Sequence, residues 1–151
     1  MGAKFSSTLL AAAILLAASP TVAEDAKDGC SRFLWPLQTE MAWFAAPDVI
    51  PLKSGDTFAA PPADKAISLR LRPAETVELP ATPTSTPKKD DGKRFAGVVQ
   101  FKDIPEGHYQ IAISDHGWID VVQDGKALEA TGHTGAPDCK GLRKSVRFEI
   151  A

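Results

Sequence analysis

Residues 95–125, FAGVVQFKDIPEGHYQIAISDHGWIDVVQDG, carry the signals that decide the fold. Within them, apolar residues alternate with polar or small ones over 109–113, which is the period-two pattern of a half-buried strand. The Pro and Gly of IPEG at 104–107 favour a turn before this strand. Asp124 and Gly125 form a strong two-residue hairpin signal. The stretch therefore predicts a β-meander of three short strands, at 95–101, 109–113 and 118–123, on which the rest of the chain packs.

The segments on either side of this meander predict the fold class. Residues 67–72 and 144–150 also alternate between apolar and polar side chains. Apolar side chains at helical spacing between two prolines predict one short N-terminal helix over 36–46. Residues 48–63 and 131–141 show no clear period and are expected to be irregular connections. With about seven strands at this spacing, the predicted fold is mainly β, an antiparallel β-sandwich that is jelly-roll-like.

The N-terminal region has the pattern of a signal peptide. Residues 1–23 combine an early lysine, an apolar run at 9–18 that is too short to span a bilayer, and small residues before a cleavage site after Ala23. Removal would leave one β-sandwich domain at 24–151, in which the proline-rich and charged segment 80–94 is expected to be a mobile loop. The predicted location is periplasmic or secreted, with no transmembrane segment after signal removal.

The chain contains two cysteines, Cys30 and Cys139. An even number of cysteines in an exported chain predicts a disulfide between them. The alternative is a thiol or metal role, but this pair lacks the close spacing that is typical of metal-binding cysteines. We therefore expect the disulfide to be structural.

Charge and motifs limit the function classes. The sequence has 17 basic and 19 acidic residues, a net charge of −2, which does not favour a nucleic acid or an anionic membrane as the partner. It also lacks the nucleophile-elbow, dinucleotide, P-loop, zinc-protease and EF-hand motifs. These observations favour a non-enzymatic module without a cofactor, whose partner is an unidentified small molecule or periplasmic protein.

Two groups of aromatic residues are candidates for ligand binding. Trp118 and Asp120 fall on one face of a predicted strand, where they would bind a sugar or a small cation. Trp35 and Trp43 belong to an aromatic-rich stretch, residues 33–44, that would form a ligand shelf. The alternative for both groups is the hydrophobic core, which is the commoner role for aromatic stripes at helical spacing.

A metal site is the alternative functional hypothesis. His116 and His133 are both expected in turns at one end of the sandwich, and Asp115 or Asp138 would add an oxygen ligand. Two histidines and one carboxylate suit iron or another first-row divalent metal. The competing interpretation is that these histidines are exposed turn residues.

Several segments together resemble a family of small exported alphaproteobacterial proteins. They are GVVQF at 97–101, EGHYQIAIS at 106–114, GWIDVVQDGK at 117–126, CKGLRKSVRFEI at 139–150 and CSRFLWPLQTEMAWFAAPD at 30–48. Members of this family sometimes carry the label homogentisate 1,2-dioxygenase, so the resemblance implies a small metal-dependent oxygenase as the alternative function. The iron motif of that enzyme class has no residue-by-residue match here. The β half is more loosely similar to bacterial pre-peptidase C-terminal domains, which are jelly-roll-like.

Overall fold

The computed structural model describes residues 29–85 and 93–151. The predicted signal peptide at 1–23 lies outside the described residues, and so do residues 86–92 of the predicted loop. In the described part, one α-helix and many short strands follow one another, which confirms the mainly β class. In chain order these elements are α1 (Gln38–Ala45), β1 (Ile50–Lys53), β2 (Thr57–Phe58), β3 (Ile67–Arg70), β4 (Arg72–Pro73), β5 (Phe95–Ala96), β6 (Gln100–Phe101), β7 (Gly107–Ile113), β8 (Val122–Gln123), β9 (Lys126–Ala127), β10 (Gly132–Gly135) and β11 (Lys144–Ile150).

The largest sheet has three antiparallel strands in the order β10-β11-β7. Strand β11 pairs with β7 along its whole length, from Lys144 opposite Ile113 to Ile150 opposite Gly107. From Val146 onward alternate β11 side chains are buried, and Phe148 is only 2% exposed, while Ser145 is buried as well. This confirms the period-two prediction for 144–150, because a strand with one covered face buries every second residue.

The predicted meander is wrong, because β7 pairs with the distant β11 instead of with its neighbours in sequence. The predicted strand over 95–101 is two short strands, β5 and β6, whose partners are β4 and β2. The strands of the described residues form five small sheets, two of which are parallel pairs. The jelly-roll-like sandwich therefore stays a prediction.

Two regions expected to be irregular contain strands. Residues 48–63 include β1 and β2, and residues 131–141 include β10. The local sequence pattern does not predict these strands, because each forms by pairing with a strand elsewhere in the chain. Ile50 of β1, for example, pairs with Ile67 of β3.

An ion pair joins the residues that precede β1 and β3. The Lys65 ammonium hydrogen-bonds Asp48 at 2.8 Å and lowers the pKa of that carboxyl.

The hairpin signal at Asp124 and Gly125 is confirmed. Both residues have positive φ, 50° and 74°, and they join β8 to β9 with Gln123 opposite Lys126. A two-residue turn with both central residues at positive φ matches the right-handed twist of the flanking strands. Aspartate and glycine tolerate that conformation, which explains why the dipeptide could be recognised from the sequence.

The helix covers a small core at one end of the chain's largest sheet. The four residues Leu37, Ala136, Cys139 and Leu142 form a buried cluster, and Met41, Phe44 and Ala112 are among the half-buried residues packed against it. Leu37, Met41 and Phe44 have the predicted helical spacing. Helix α1 itself begins at Gln38, two residues later than predicted. Assignments of a helix end commonly differ by this amount.

A disulfide joins Cys30 to Cys139 with an S–S distance of 2.00 Å, which confirms the prediction from the sequence. It ties the segment before the helix to the loop between β10 and β11. Gly29 lies so close to this loop that an added Cβ would be 2.5 Å from the carbonyl carbon of Asp138. A disulfide fits a protein that folds outside the cytoplasm. No helix in residues 29–85 or 93–151 is long and apolar enough to cross a membrane.

We predict that replacing both cysteines by serine lowers the free energy of unfolding by about 2–5 kcal/mol, because the bond closes a long loop in the unfolded chain. Urea denaturation followed by circular dichroism measures this change. Wild-type protein treated with a reductant should shift to the midpoint of the double variant. Equal midpoints for the oxidised protein and the variant would contradict the prediction.

Candidate ligand-binding surface

Trp118 is 60% exposed, although tryptophan is one of the largest apolar side chains. The core interpretation of this residue is therefore wrong. The predicted strand over 118–123 begins only at Val122, so the alternation of faces does not determine where Trp118 lies. Trp118 instead belongs to an irregular segment between β7 and β8, near the first residue of β11.

The polar edge of the Trp118 indole is fixed by hydrogen bonds. Its Nε1–H lies 3.0 Å from Oδ1 of Asp120 and 3.0 Å from Oγ1 of Thr84, and it donates to both oxygens. The Thr84 hydroxyl donates to Oδ1 of Asp120, and the Thr84 backbone N–H donates to Oδ2 at 3.2 Å. Asp120 thus accepts hydrogen bonds from both neighbours and holds the ring in one orientation.

A positive charge lies over the ring. The Nζ of Lys144 is 4.9 Å from the centroid of the Trp118 ring, within the range of a cation–π interaction. The same ammonium donates to the backbone oxygen of Gly117 at 2.8 Å. We call Trp118, Asp120, Thr84 and Lys144 together the Trp118 platform. It presents an oriented aromatic ring with an ammonium, a hydroxyl and a carboxylate around it.

The other candidate tryptophans have different surroundings. The guanidinium carbon of Arg147 lies 3.9 Å from the centroid of the Trp35 ring, and the Trp35 Nε1–H donates to the buried hydroxyl of Ser145 at 3.3 Å. Arg147 in turn donates to Gln110 at 2.8 Å. Trp35 therefore anchors the N-terminal segment to the sheet, and this contact is structural.

The aromatic stretch 33–44 divides between core and surface. Phe33, Trp35 and Phe44 pack against the core cluster around Leu142, which supports the core interpretation for them. Trp43 is half-buried on α1 and is not part of that cluster as far as the described residues show. An open depression of about 530 Å³ lies beside this stretch, lined by residues between Cys30 and Met41. Ligand binding by Trp35 and Trp43 stays a prediction.

The histidines proposed as metal ligands are exposed. His116 lies in the turn after β7, where its backbone N–H donates to Oδ1 of Asp115. His133 lies within β10, opposite Val146, so the expectation that it sits in a turn is wrong. In the two described ranges, no group of three or more His, Cys, Asp or Glu residues is arranged to hold a metal ion. Iron or another first-row metal at these residues stays a prediction.

Sequence reasoning found Trp118 and Asp120 but missed Thr84 and Lys144. Thr84 falls in the proline-rich segment that was expected to be a mobile loop, and it lies 36 positions before Asp120 in the chain. Lys144 is the first residue of a strand whose partner was not predicted. The sequence signal that points toward Lys144 is a cluster of four basic residues at 140, 143, 144 and 147.

Comparison of the chain with protein-family models, with curated proteins and with solved structures found no match. The interpretation of the Trp118 platform therefore depends on its own geometry.

We predict that Asp120→Ala releases the indole of Trp118 without unfolding the protein, because the hydrogen bonds it removes are at the surface. The cost should be about 1 kcal/mol or less in the free energy of unfolding. Hydrogen exchange of the indole N–H groups, resolved by nitrogen-15 NMR for the three tryptophans, measures the release. The Trp118 signal should exchange faster in Asp120→Ala but not in the control Glu129→Ala. Unchanged exchange at Trp118 would show that Asp120 does not hold the ring.

Proposed function

We propose that this chain is an exported, non-enzymatic binding module that holds a saccharide on the Trp118 platform. In this proposal residues 1–23 direct the chain to the periplasm or to secretion, and the mature part forms a jelly-roll-like β-sandwich. The proposed family is that of the small exported alphaproteobacterial proteins that the sequence resembles. The disulfide between Cys30 and Cys139 supports a non-cytoplasmic location.

The single observation that carries the proposal is the exposure of an oriented indole. A tryptophan that is 60% exposed forgoes the favourable free energy of burying its apolar surface. Isolated exposed apolar residues are nevertheless common, so exposure alone does not indicate a function. Trp118 differs from such residues because its N–H is bound on one edge by Asp120 and Thr84. An aromatic side chain fixed before binding loses little conformational entropy when a ligand stacks on it.

The chemistry of the platform favours a sugar over the small cation that was the other predicted ligand. The face of an indole is electron-rich and attracts the slightly positive C–H groups of a pyranose ring. Hydroxyl groups of the sugar can exchange hydrogen bonds with Thr84 at the polar edge of the ring and with the Lys144 ammonium over it. A cation would instead meet the Lys144 ammonium, which already lies 4.9 Å from the ring centroid. Like charges repel each other, so the ammonium already over the ring disfavours a second cation there.

The shape of the surface also fits binding better than catalysis. The Trp118 side chain is exposed, whereas enzymes commonly enclose their substrates in a concave pocket. The carboxylate of Asp120 is occupied by hydrogen bonds that position the indole. These features support a ligand that lies across the surface, such as one segment of a polysaccharide.

The test is binding of the purified chain to a panel of neutral and acidic polysaccharides, measured by affinity electrophoresis and then by titration calorimetry. We predict that Trp118→Ala weakens binding by about tenfold or more, since stacking buries much of the indole face. The matched control is Phe95→Ala, which removes another aromatic side chain that is 60% exposed. This control should bind like the wild type. No binding to any member of the panel, or equal binding by Trp118→Ala, would refute the proposed function.

A further inference from the structure

We propose that Lys144 makes the Trp118 platform selective for saccharides that carry a carboxylate, such as chains of uronate residues. This inference rests on the proposed function and names the ligand class for the same site. It assigns to Lys144 the role of a specificity-determining residue, whereas Trp118 supplies the stacking surface for acidic and neutral sugars alike.

The position of the ammonium is the first observation. The Nζ of Lys144 lies over the Trp118 ring, 4.9 Å from its centroid, so a ligand carboxylate beside the ammonium would also lie close to this ring. A hydrogen bond of 2.8 Å to the carbonyl of Gly117 holds the side chain in this place. A lysine ammonium has three donor hydrogens, and this bond uses one of them. The remaining donors are suited to a carboxylate oxygen on a ligand.

The charge of Lys144 is the second observation. Lys144 belongs to neither of the ion pairs Arg32–Asp138 and Lys65–Asp48, which join described residues. Its ammonium lies over the ring with a neutral carbonyl as its hydrogen-bond acceptor. An anionic ligand would provide the countercharge. Lysine binds carboxylates as a compact point charge, so the geometry required of the ligand is loose.

The negative charge of the Trp118 platform is the carboxylate of Asp120, which already has hydrogen-bond donors within the protein. Both carboxylate oxygens of Asp120 accept hydrogen bonds, from the Trp118 indole and from Thr84. These donors stabilise the carboxylate in place and orient it toward them. Repulsion of an anionic ligand by Asp120 is thereby reduced, while the attraction by Lys144 is not offset by an ion pair.

Arg147 provides an internal comparison. Its guanidinium also lies over a tryptophan ring, that of Trp35, but the surrounding groups are engaged with one another. Arg147 donates to Gln110, and Gln110 donates to Glu40. Trp35 donates to the buried Ser145. That cation–π pair is part of the protein's packing, whereas the pair of Lys144 and Trp118 borders an exposed ring.

The experiment compares two ligands that differ in charge, an α-1,4-linked galacturonate oligomer and its methyl ester. Titration calorimetry at low salt should give an affinity for the acid about fivefold higher than for the ester. This preference should disappear in Lys144→Gln, persist in Lys144→Arg, and fall as salt is added. Lys102→Gln is the control for net charge and should keep the preference. Thermal melting confirms that each variant is folded.

Two results would overturn the inference, and they are distinguishable. If the wild type binds acid and ester equally, or if Lys144→Gln keeps the preference, Lys144 does not select charge and the proposed function stands. If neither oligomer binds and the neutral polysaccharides also fail, the proposed function fails and this inference with it. A preference for the acid that is lost in Lys144→Gln but kept in Lys102→Gln supports the inference.

Discussion

The pairing of β11 on both of its sides is the constraint on which the described structure depends. Strand β11 hydrogen-bonds β7 along its full length and β10 along part of it. Its buried residues include Ser145, which binds the indole of Trp35 and so fixes the N-terminal segment. Its first residue, Lys144, reaches Gly117 and the ring of Trp118. Strand β11 thus positions both the N-terminal segment, through Trp35, and the Trp118 platform, through Lys144.

Local patterns in the sequence predicted the parts of the fold that local physics determines. The alternation in 144–150, the helical spacing from Leu37 to Phe44 and the hairpin at Asp124 and Gly125 are all present in the structure. In each case the residues whose pattern gave the prediction are the same residues that form the strand, helix or turn. The disulfide followed from the number of cysteines, because two cysteines in a chain predicted to be exported leave one intramolecular pairing.

Long-range pairing accounts for what the sequence did not predict. Strands of only two residues, such as β5 and β6, have too few positions to show a period, so their existence depends on partners elsewhere in the chain. The partner of β7 lies more than thirty residues away, which is why a meander was predicted instead. The same limit applies to the Trp118 platform, since Thr84 is separated from Trp118 by 34 positions. The position of Trp118 and Asp120 on one face of a predicted strand identified the tryptophan and the acid, and only the fold brings the hydroxyl and the ammonium to them.

The most direct test of the account is to observe which tryptophan touches the ligand. Fluorine-19 NMR of protein labelled with 5-fluorotryptophan gives one signal for each of the three tryptophans, and Trp118→Phe assigns the relevant one. Titration with the galacturonate oligomer should shift the Trp118 signal to saturation and leave those of Trp35 and Trp43 in place. A bound oligomer that moves the signal of Trp35 or Trp43 and not that of Trp118 would contradict the central claim.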